Sequence, residues 1–280
     1  MKISVITINY NNIKGLEYTI KSIENQTNQD FEFIVIDGGS NDGAKELIES
    51  NKRINYWVSE KDTGVYNAMN KGIRQAKGKY VIFMNSGDAF YDDNTIKKIT
   101  PFLENETGIV YGNSNYFDDK GVIGVMKAPV KLGFKFFLNS GINHQAVFIK
   151  RQLFYDSFFY NEEYKICSDW DFFIRNICLN EVSYEHTNLI ICNYNLDGIS
   201  AKPENLSVYH QERKETFQKY FSAFYEDALQ DEIILRELKT RRFQQFLTIK
   251  ENKISWKIMR FVLNIFMLFS SKNHKNNINQ

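Results

Sequence analysis

One carboxylate in the first third of the chain stands where a strand would deliver a ligand-binding group. The apolar run YVIFM at 80–84 is bounded by Gly78 and by the polar turn NSG at 85–87, which is typical of a strand buried on both faces. Asp88 follows that turn, at the predicted carboxyl end of the strand. Because ligands of open α/β sheets bind outside these strand ends, we expect Asp88 to hold a metal ion beside a phosphate. A turn or cap aspartate is the structural alternative.

An acidic pair late in the chain has the chemistry of a proton acceptor. The segment SDWD at 168–171 precedes apolar residues at helical spacing, which predicts a helix over 168–179 with a Ser168 cap. Asp169 and Asp171 then lie in the first turn, where carboxylates also stabilise a helix electrostatically. Two residues along a helix correspond to roughly 200° of rotation, so these two carboxylates cannot face one site equally.

The elements that must position these acids alternate between strand and helix patterns. Apolar runs predict strands at 2–8, 31–36, 54–58 and 80–84, and apolar residues at helical spacing predict helices at 16–23, from about 44, and at 65–76. Three such strand–helix repeats predict a parallel, doubly wound sheet. The expected fold class is therefore α/β, a Rossmann-like, mixed but mainly parallel sheet with flanking helices.

The pattern changes after Asp88. A helix at 94–104 leads into a predicted hairpin, with strands at 113–117 and 122–126, and further strands follow at 146–149 and 182–194. From about residue 204 the composition becomes helical and charged, and no glycine occurs after Gly198. We therefore predict a catalytic domain at 1–202 and a helical extension at 203–280.

Charge and cysteine content narrow the class of protein. The 280 residues include 35 basic and 34 acidic side chains, a balance that favours neither a nucleic-acid-binding nor a polyanion-binding protein. The three cysteines form no metal-binding spacing and leave one unpaired in any disulfide scheme, which favours a reducing cytoplasm. A strand pattern begins directly after Lys2, so no signal peptide is expected. No apolar window reaches the roughly 18 residues of a membrane span.

The predicted helix at 254–270 is rich in apolar and aromatic residues. Lys257, Arg260 and Asn264 recur on one side, and further lysines flank the segment. This pattern is typical of an amphipathic helix that lies in a membrane interface. Packing on the domain, or on a second subunit in a homo-oligomer formed through the C-terminal helices, is the alternative.

Five segments of the chain together resemble a known family. ISVITINYNN, FEFIVIDGGSNDG and the stretch from Asp62 to Asp88 are followed by NHQAVFIKRQLF and SDWDFFIRN. In this order and spacing they resemble the inverting family 2 glycosyltransferases of the GT-A fold, especially bacterial enzymes that build O-antigen, capsule or exopolysaccharide. The resemblance extends to about residue 200.

This resemblance implies a metal-dependent, hexosyltransferase-type enzyme with a nucleotide-diphosphate-sugar donor and a divalent cation, Mn²⁺ or Mg²⁺. A cation that bridges both phosphates stabilises the leaving nucleoside diphosphate during direct displacement at the anomeric carbon. The acceptor implied is a glycan hydroxyl, carried on a polyprenyl diphosphate at the inner face of the cytoplasmic membrane. The protein would then be cytoplasmic and peripheral on that membrane, without a nucleic-acid partner.

The resemblance also implies roles for residues on the donor side. Asp88 takes the metal role by position, although Asn85 and Gly87 replace the first acids of the family motif. Tyr10 would stack on the nucleobase, with a core or loop aromatic as the alternative, and Asp37 matches the acid region that reads the base. The remaining donor contacts implied are Asn11, Asp62, Asn67, Asn70, Lys71 and Ser86. A solvated helix surface is the alternative for Lys71.

On the acceptor side, Asp169 matches the family's catalytic base, which takes the proton of the attacking hydroxyl. Asp171 would orient the base or replace it. Trp170 would border the acceptor, with core packing as the alternative. His144 would line the acceptor pocket or approach the donor phosphates, with a structural role as the alternative.

Two other functions compete with this interpretation. A nucleotidyltransferase would need a phosphate loop rich in Gly and Lys near the first strand, and residues 9–12 offer none. A catalytically silent subunit that binds a nucleotide sugar or acts as a scaffold is favoured by the reduced acid motif at 85–88.

Overall fold

The computed structural model describes residues 2–196, 198 and 202–276, and of residues 224, 231–235, 237 and 268–276 only the backbone. The chain forms two compact units, Met1–Tyr220 and Phe221–Gln280. The strands of the first unit are β1 (Ile3–Asn9), β2 (Phe31–Asp37), β3 (Tyr56–Ser59), β4 (Tyr80–Phe83), β5 (Ala89–Phe90), β6 (Ile109–Asp118), β7 (Gly121–Met126), β8 (Val147–Lys150) and β9 (Tyr184–Asn195).

The helices of the first unit are α1 (Ile13–Glu24), α2 (Ala44–Ser50), α3 (Val65–Gln75), α4 (Thr95–Ile99), α5 (Phe134–Asn139), α6 (Gln152–Asp156), α7 (Ser168–Cys178) and α8 (Leu206–Tyr220). Short 3₁₀ turns occur at Thr100–Asn105, His144–Ala146 and Pro203–Asn205.

The described strands form one mixed sheet in the order β3-β2-β1-β4-β8-β6-β9-β5, with β7 paired to β6. The half that contains β3, β2, β1 and β4 is parallel throughout. β8 then runs antiparallel to β4 and β6, whereas β6 and β9 are parallel to each other. The predicted α/β class and the parallel, doubly wound first half are confirmed.

The parallel half forms because its strands are apolar on both faces. Every residue of β1, β2 and β4 is buried, as expected for strands covered by helices on each side. On one side, α1 buries Leu16, Ile20 and Ile23, which recur at the helical spacing. The carboxyl ends of β1, β2 and β4 therefore meet at one edge of the sheet, where a site can form.

After Asp88 the fold includes strands and helices that are too short to predict from the sequence. The predicted hairpin is confirmed as β6 and β7, which pair from Ser114↔Met126 to Asp118↔Gly121. The two-residue strand β5 and the five-residue helix α6 were not predicted, because neither is long enough to show a period. The helix predicted at 94–104 is α4 followed by a 3₁₀ turn that carries a proline near its start.

Helix α8 belongs to the first unit, although the predicted boundary near 203 precedes it. It contributes the buried side chains Glu212, Arg213, Thr216 and Phe217 to that unit. The domain boundary at 202/203 stays a prediction. The compact first unit of the structure extends beyond it, to Tyr220.

The second unit consists of α9 (Ser222–Lys239), α10 (Arg241–Glu251) and α11 (Lys253–Asn276). Thr240 caps α10 by accepting a hydrogen bond from the Phe243 amide, and the ring of Phe246 lies edge-on to that of Trp256. Many apolar side chains of α11 are exposed, including Ile254, Ile258, Phe261 and Phe266. No helix in the described ranges combines the length and the apolar character that crossing a bilayer requires.

Gly72 provides a test of the packing between α3 and the parallel sheet. A Cβ at this position would lie 2.5 Å from Cγ2 of the buried Ile6. We expect Gly72→Ala to lower the free energy of unfolding, since overpacking costs about 1–3 kcal/mol and the gain in helix propensity is at most about 1 kcal/mol. Urea denaturation measures the change.

The matched control for that substitution is Gly133→Ala. A Cβ there meets nothing within 4 Å, and Gly133 has φ −170°, an extended conformation open to any residue. Equal stability of the two variants would contradict the proposed close approach of α3 to β1.

Candidate active site

A cleft of about 1310 Å³ lies at the carboxyl ends of the parallel strands. One part of its lining comes from the parallel half of the fold: the end of β1, the loop after β2, the start of α3 and the turn after β4. The other part comes from the 3₁₀ turn before β8, the loop before α7 and the end of β9. Asp88 and Asp169, which are far apart in the sequence, both line this cleft. The structure therefore brings the two predicted reactive acids to one cavity.

Asp88 follows β4 as predicted and is almost completely buried. Its Oδ1 accepts a hydrogen bond from the Asn195 amide at 2.9 Å, and its Oδ2 accepts one from Gln145 Nε2 at 2.9 Å. Burial raises the pKa of Asp88 to about 6, and these two hydrogen bonds oppose that effect. The carboxylate is thus held in one orientation by the end of β9 and by the turn before β8.

Asp169 lies in the first turn of α7 and accepts two hydrogen bonds. Its Oδ2 is 2.7 Å from His144 Nδ1, and its Oδ1 is 2.9 Å from the hydroxyl of the buried Tyr66, whose proton is shared with the Ile166 carbonyl at 2.6 Å. Burial alone would raise the pKa of Asp169, but the hydrogen bonds from His144 and Tyr66 hold it below its ordinary value. At neutral pH the carboxylate is therefore ionised and able to accept a proton.

The ring of His144 connects this acid to the turn that carries Asp88. Asn85 Nδ2 lies 3.0 Å from Nε2 of His144. Since an amide nitrogen only donates, Nε2 accepts, and Nδ1 carries the proton that is donated to Asp169. The next residue, Gln145, donates to Asp88. Two consecutive residues thus each hold one of the two acids.

Helix α8 helps to set the start of α7. Glu212 accepts hydrogen bonds from the backbone amides of Lys165, Ile166 and Cys167, at 2.6, 3.0 and 2.9 Å. Ser168 was expected to cap α7, but Ser168 is the first helical residue and Cys167 occupies the cap position. A side chain from α8 therefore fixes the loop that leads to Asp169, where a local cap was predicted.

Three of the predicted donor-binding residues line the cleft. Tyr10 is 68% exposed there, and Asp62 and Ser86 also form part of the lining. Gly38 allows this arrangement, because a Cβ at that position would come within 3.1 Å of both Asp62 Oδ2 and Tyr10 Cδ2.

The other predicted donor-binding residues lie outside the lining and are engaged by protein groups. Asn11 accepts a hydrogen bond from the Asn41 amide. Asn67 and Asn70 donate to Glu162 at 2.7 and 2.8 Å, and Lys71 pairs with Glu60 and Asp62 at 2.7 and 2.6 Å.

Asp37 is likewise engaged by protein groups rather than aimed into the cleft. Its completely buried carboxylate accepts hydrogen bonds from Asn9, from the hydroxyl of Ser59, and from both the amide and the hydroxyl of Ser40. These contacts connect the ends of β1, β2 and β3 behind the cleft. The roles of Asp37 and of Asn11, Asn67, Asn70 and Lys71 at a donor stay predictions.

Asp171 and Trp170 also face away from the cleft. Asp171 pairs with Arg175 at 3.0 Å and accepts a hydrogen bond from Thr216 of α8 at 3.0 Å. Trp170 Nε1 donates to the Ser140 carbonyl, and its ring packs edge-on against Phe217. Of the acidic pair, only Asp169 lines the cleft, and the acceptor roles of Trp170 and Asp171 stay predictions.

The sequence matches the family description "Glycosyl transferase family 2" over residues 4–161. The chain belongs to glycosyl transferase family 2. A "PGL/p-HBAD biosynthesis glycosyltransferase" of Mycobacterium bovis is 31% identical over 205 residues, which cover 70% of this chain and 77% of that protein.

Solved structures show the same fold. Staphylococcus aureus TarS 1–349 in complex with UDP-GlcNAc matches with a TM-score of 0.57 at 19% identity, over 70% of this chain and 58% of that one. The mannosyltransferase PcManGT from Pyrobaculum calidifontis, in complex with GDP-Man and Mn²⁺, matches with a TM-score of 0.54 at 14% identity, over 92% and 86%. The architecture is that of the GT-A glycosyltransferases.

Several polar residues of this family 2 site were missed from the sequence. Glu162 lines the cleft and accepts from Asn67 and Asn70, and Tyr66 donates to Asp169. The signal for the partner of Asn70 is an acid flanked by aromatic residues, as in FFYNEEY. Tyr66 gave no signal of its own, because a buried tyrosine on a helix usually indicates core packing.

The charge of the described lining is acidic. Five carboxylates face two lysines there: Asp62, Asp88, Glu162, Glu163 and Asp169 against Lys61 and Lys165. A nucleoside diphosphate would be repelled by this surface unless a cation neutralised part of its charge.

Oxygen atoms suited to a hard cation lie in the turn after β4. No group of three or more His, Cys, Asp or Glu side chains that could hold a metal occurs in the described part of the chain. Asn85 Oδ1, however, is buried without a hydrogen-bond partner, in the same turn as Asp88. Because Mg²⁺ often takes one or two protein oxygens and completes its shell with substrate phosphates and water, these residues fit such an ion.

Replacing Asp37 tests its structural role. Burial alone would raise the pKa of Asp37, but hydrogen bonds from Ser40, Ser59 and Asn9 hold it below its ordinary value. We expect Asp37→Asn to lower the free energy of unfolding by about 1–3 kcal/mol, since an NH₂ group would face hydrogen-bond donors.

The pH dependence of that loss gives a second measurement. A lowered carboxyl pKa stabilises the fold above the unfolded value of about 3.9, and the contribution disappears as pH falls through the folded pKa. The difference in the free energy of unfolding between the wild type and Asp37→Asn should therefore shrink below about pH 4. The exposed Asp30→Asn is the control with the same charge change. A loss that persists unchanged in acid would contradict this account.

Proposed function

We propose that this family 2 protein is an inverting glycosyltransferase that moves a sugar from a nucleotide-diphosphate donor to a hydroxyl of a glycan acceptor. The observation that supports it most directly is that Asp88 and Asp169 line one cleft while each is fixed by hydrogen bonds. One acid suits a cation beside the departing diphosphate, and the other suits removal of a proton from the acceptor.

The donor is proposed to bind at the strand ends on the Asp88 side. The exposed ring of Tyr10 offers a face on which a nucleobase can stack, and Gly38 lets the backbone approach a ligand closely. TarS and PcManGT are solved with UDP-GlcNAc and GDP-Man, which supports a nucleotide sugar as the donor class.

Asp88 and Asn85 Oδ1 would hold a Mn²⁺ or Mg²⁺ ion. When bound, the ion would neutralise the negative charge that develops on the leaving diphosphate. The acidic lining supports this need for a cation, and PcManGT is solved with Mn²⁺.

Asp169 is proposed to act as the general base. It is ionised at neutral pH, lines the cleft, and is oriented by His144 and Tyr66. As the acceptor oxygen attacks the anomeric carbon, its proton would pass to Asp169, and the bond to the diphosphate would break. Direct displacement of this kind inverts the anomeric centre, and the scheme includes no covalent intermediate between sugar and protein.

A lipid-linked acceptor at the inner face of the cytoplasmic membrane completes the proposal. The exposed apolar side chains of α11 fit an interfacial helix, although α11 equally fits contacts between copies of the chain. A role in surface polysaccharide synthesis, as for O-antigen or capsule, follows from the same resemblance and from the M. bovis relative named for PGL/p-HBAD biosynthesis.

The direct test is to mix the purified protein and Mn²⁺ with a panel of nucleotide sugars and to measure release of nucleoside diphosphate. One donor is expected to be consumed, and Asp88→Ala is expected to abolish both that release and the Mn²⁺-dependent binding of the donor. Donor binding without any turnover, in the wild type as in Asp88→Ala, would instead favour a catalytically silent binding subunit.

Asp169→Asn separates catalysis from binding. We expect kcat for transfer to fall by about 10²–10⁴-fold, the usual contribution of a general base, with donor affinity unchanged. Calorimetric titration of the donor and steady-state kinetics give the two values. Asp171→Asn is the matched control, and a larger loss of kcat in that variant would reverse the assignment of the base.

His144→Gln tests the orientation of the base. Without the hydrogen bond from His144, burial raises the pKa of Asp169, so the acidic limb of the kcat–pH profile should move to higher pH. His186→Gln, whose ring contacts Asn113 away from the cleft lining, should leave the profile in place. An unshifted acidic limb in His144→Gln would refute this role.

A further inference from the structure

Strand β7 carries apolar side chains into solvent on both of its faces. By their cross-strand partners in β6, Val122 and Val125 lie on one face and Met126 on the other, and Ile123 is the extra residue of a β-bulge. Their exposed fractions run from 44% for Val125 to 73% for Val122. In the described part of the chain β7 pairs only with β6, so its second edge is also open. An apolar edge of this kind is an association surface.

Lysines surround these apolar side chains. Between residues 118 and 135 the chain has four lysines and two aspartates, whereas the whole chain has a formal charge of only +1. All four lysines are exposed, and none makes a salt bridge within the described ranges: Lys120, Lys127, Lys131 and Lys135. The surface therefore complements an anionic partner that also has an apolar phase.

The exposure of both faces of β7 distinguishes a membrane from a protein partner. A protein surface or an added strand would cover one face or one edge, and the other apolar face would remain in water. A lipid interface surrounds an inserted strand on both faces, while lysines beside it contact anionic headgroups. The observations favour the bilayer.

The base of this hairpin borders the cleft. Tyr116 of β6 packs against Tyr194 with tilted rings whose centroids are 5.1 Å apart, and its hydroxyl accepts a hydrogen bond from Asn143 at 2.9 Å. Tyr194 and Asn143 both line the cleft. A membrane contacted by the hairpin would thus lie next to the cavity that contains Asp169.

We propose that residues 118–131, the docking hairpin, insert the apolar side chains of β7 into an anionic membrane surface and so present the cleft to a lipid-linked acceptor. Docking of the hairpin on a membrane is independent of the proposed function. Only the identity of the acceptor rests on the proposed function.

The test places an environment-sensitive fluorophore on the full chain through Ile123→Cys. Vesicles of phosphatidylcholine mixed with phosphatidylglycerol should raise and blue-shift its emission, and vesicles of phosphatidylcholine alone should do so much less. The matched control is Leu179→Cys on an exposed leucine at the end of α7, which should not respond. Because Cys167 and Cys192 are buried and Cys178 is partly so, the unsubstituted chain measures background labelling.

Charge provides a second readout. Lys127→Gln combined with Lys131→Gln should weaken binding to the anionic vesicles at least about tenfold, since a lysine near such a surface contributes about a fivefold factor. Lys45→Gln combined with Lys97→Gln, two exposed lysines outside the hairpin, should change it little.

Two results would overturn the proposal. One is an unchanged emission at position 123 on vesicles that still sediment the protein. The other is an emission that rises with protein concentration without vesicles, which would make a second copy of the chain the occupant. Release of nucleoside diphosphate from the donor should persist in all hairpin variants. Its absence in the wild type would refute the proposed function and leave the docking result standing.

Discussion

The pair of hydrogen bonds from His144 and Gln145 is the constraint on which the site depends. His144 donates to Asp169 and Gln145 donates to Asp88, so one 3₁₀ turn fixes both acids at once. This 3₁₀ turn directly precedes β8, which runs antiparallel to β4 and β6 in the middle of the sheet. Both carboxylates are therefore held by one short turn that leads directly into a central strand.

The parallel half of the sheet supplies the other side of this arrangement. β1, β2 and β4 are buried on both faces, and β1 and β2 each end in a polar residue, Asn9 and Asp37. Asp37 shows how such an end is stabilised, because its carboxylate satisfies donors from three neighbouring segments. A group of this kind shapes the floor of a site through its contacts with protein groups, and these contacts account for its burial.

The sequence was sufficient for local features and insufficient for distant partners. Asp88 was located because an apolar run and a polar turn identify a strand end. Helical rotation indicated that Asp169 and Asp171 cannot both face one site, and the family resemblance placed Asp169 first. The residues that contact these acids produce no periodic pattern in the nearby sequence. Tyr66 is 103 residues from Asp169 and Glu212 is 45 residues from Cys167, so only the closed fold reveals those contacts.

Asn85 shows why a departure from the family motif can still fit the chemistry. Its amide nitrogen donates to Nε2 of His144, which leaves Nδ1 to donate to Asp169. An aspartate at position 85 would present an acceptor to Nε2 and require a proton there, and it would add a further negative charge to an already acidic lining. The asparagine keeps an oxygen for a cation while it preserves the tautomer that the proposed base requires.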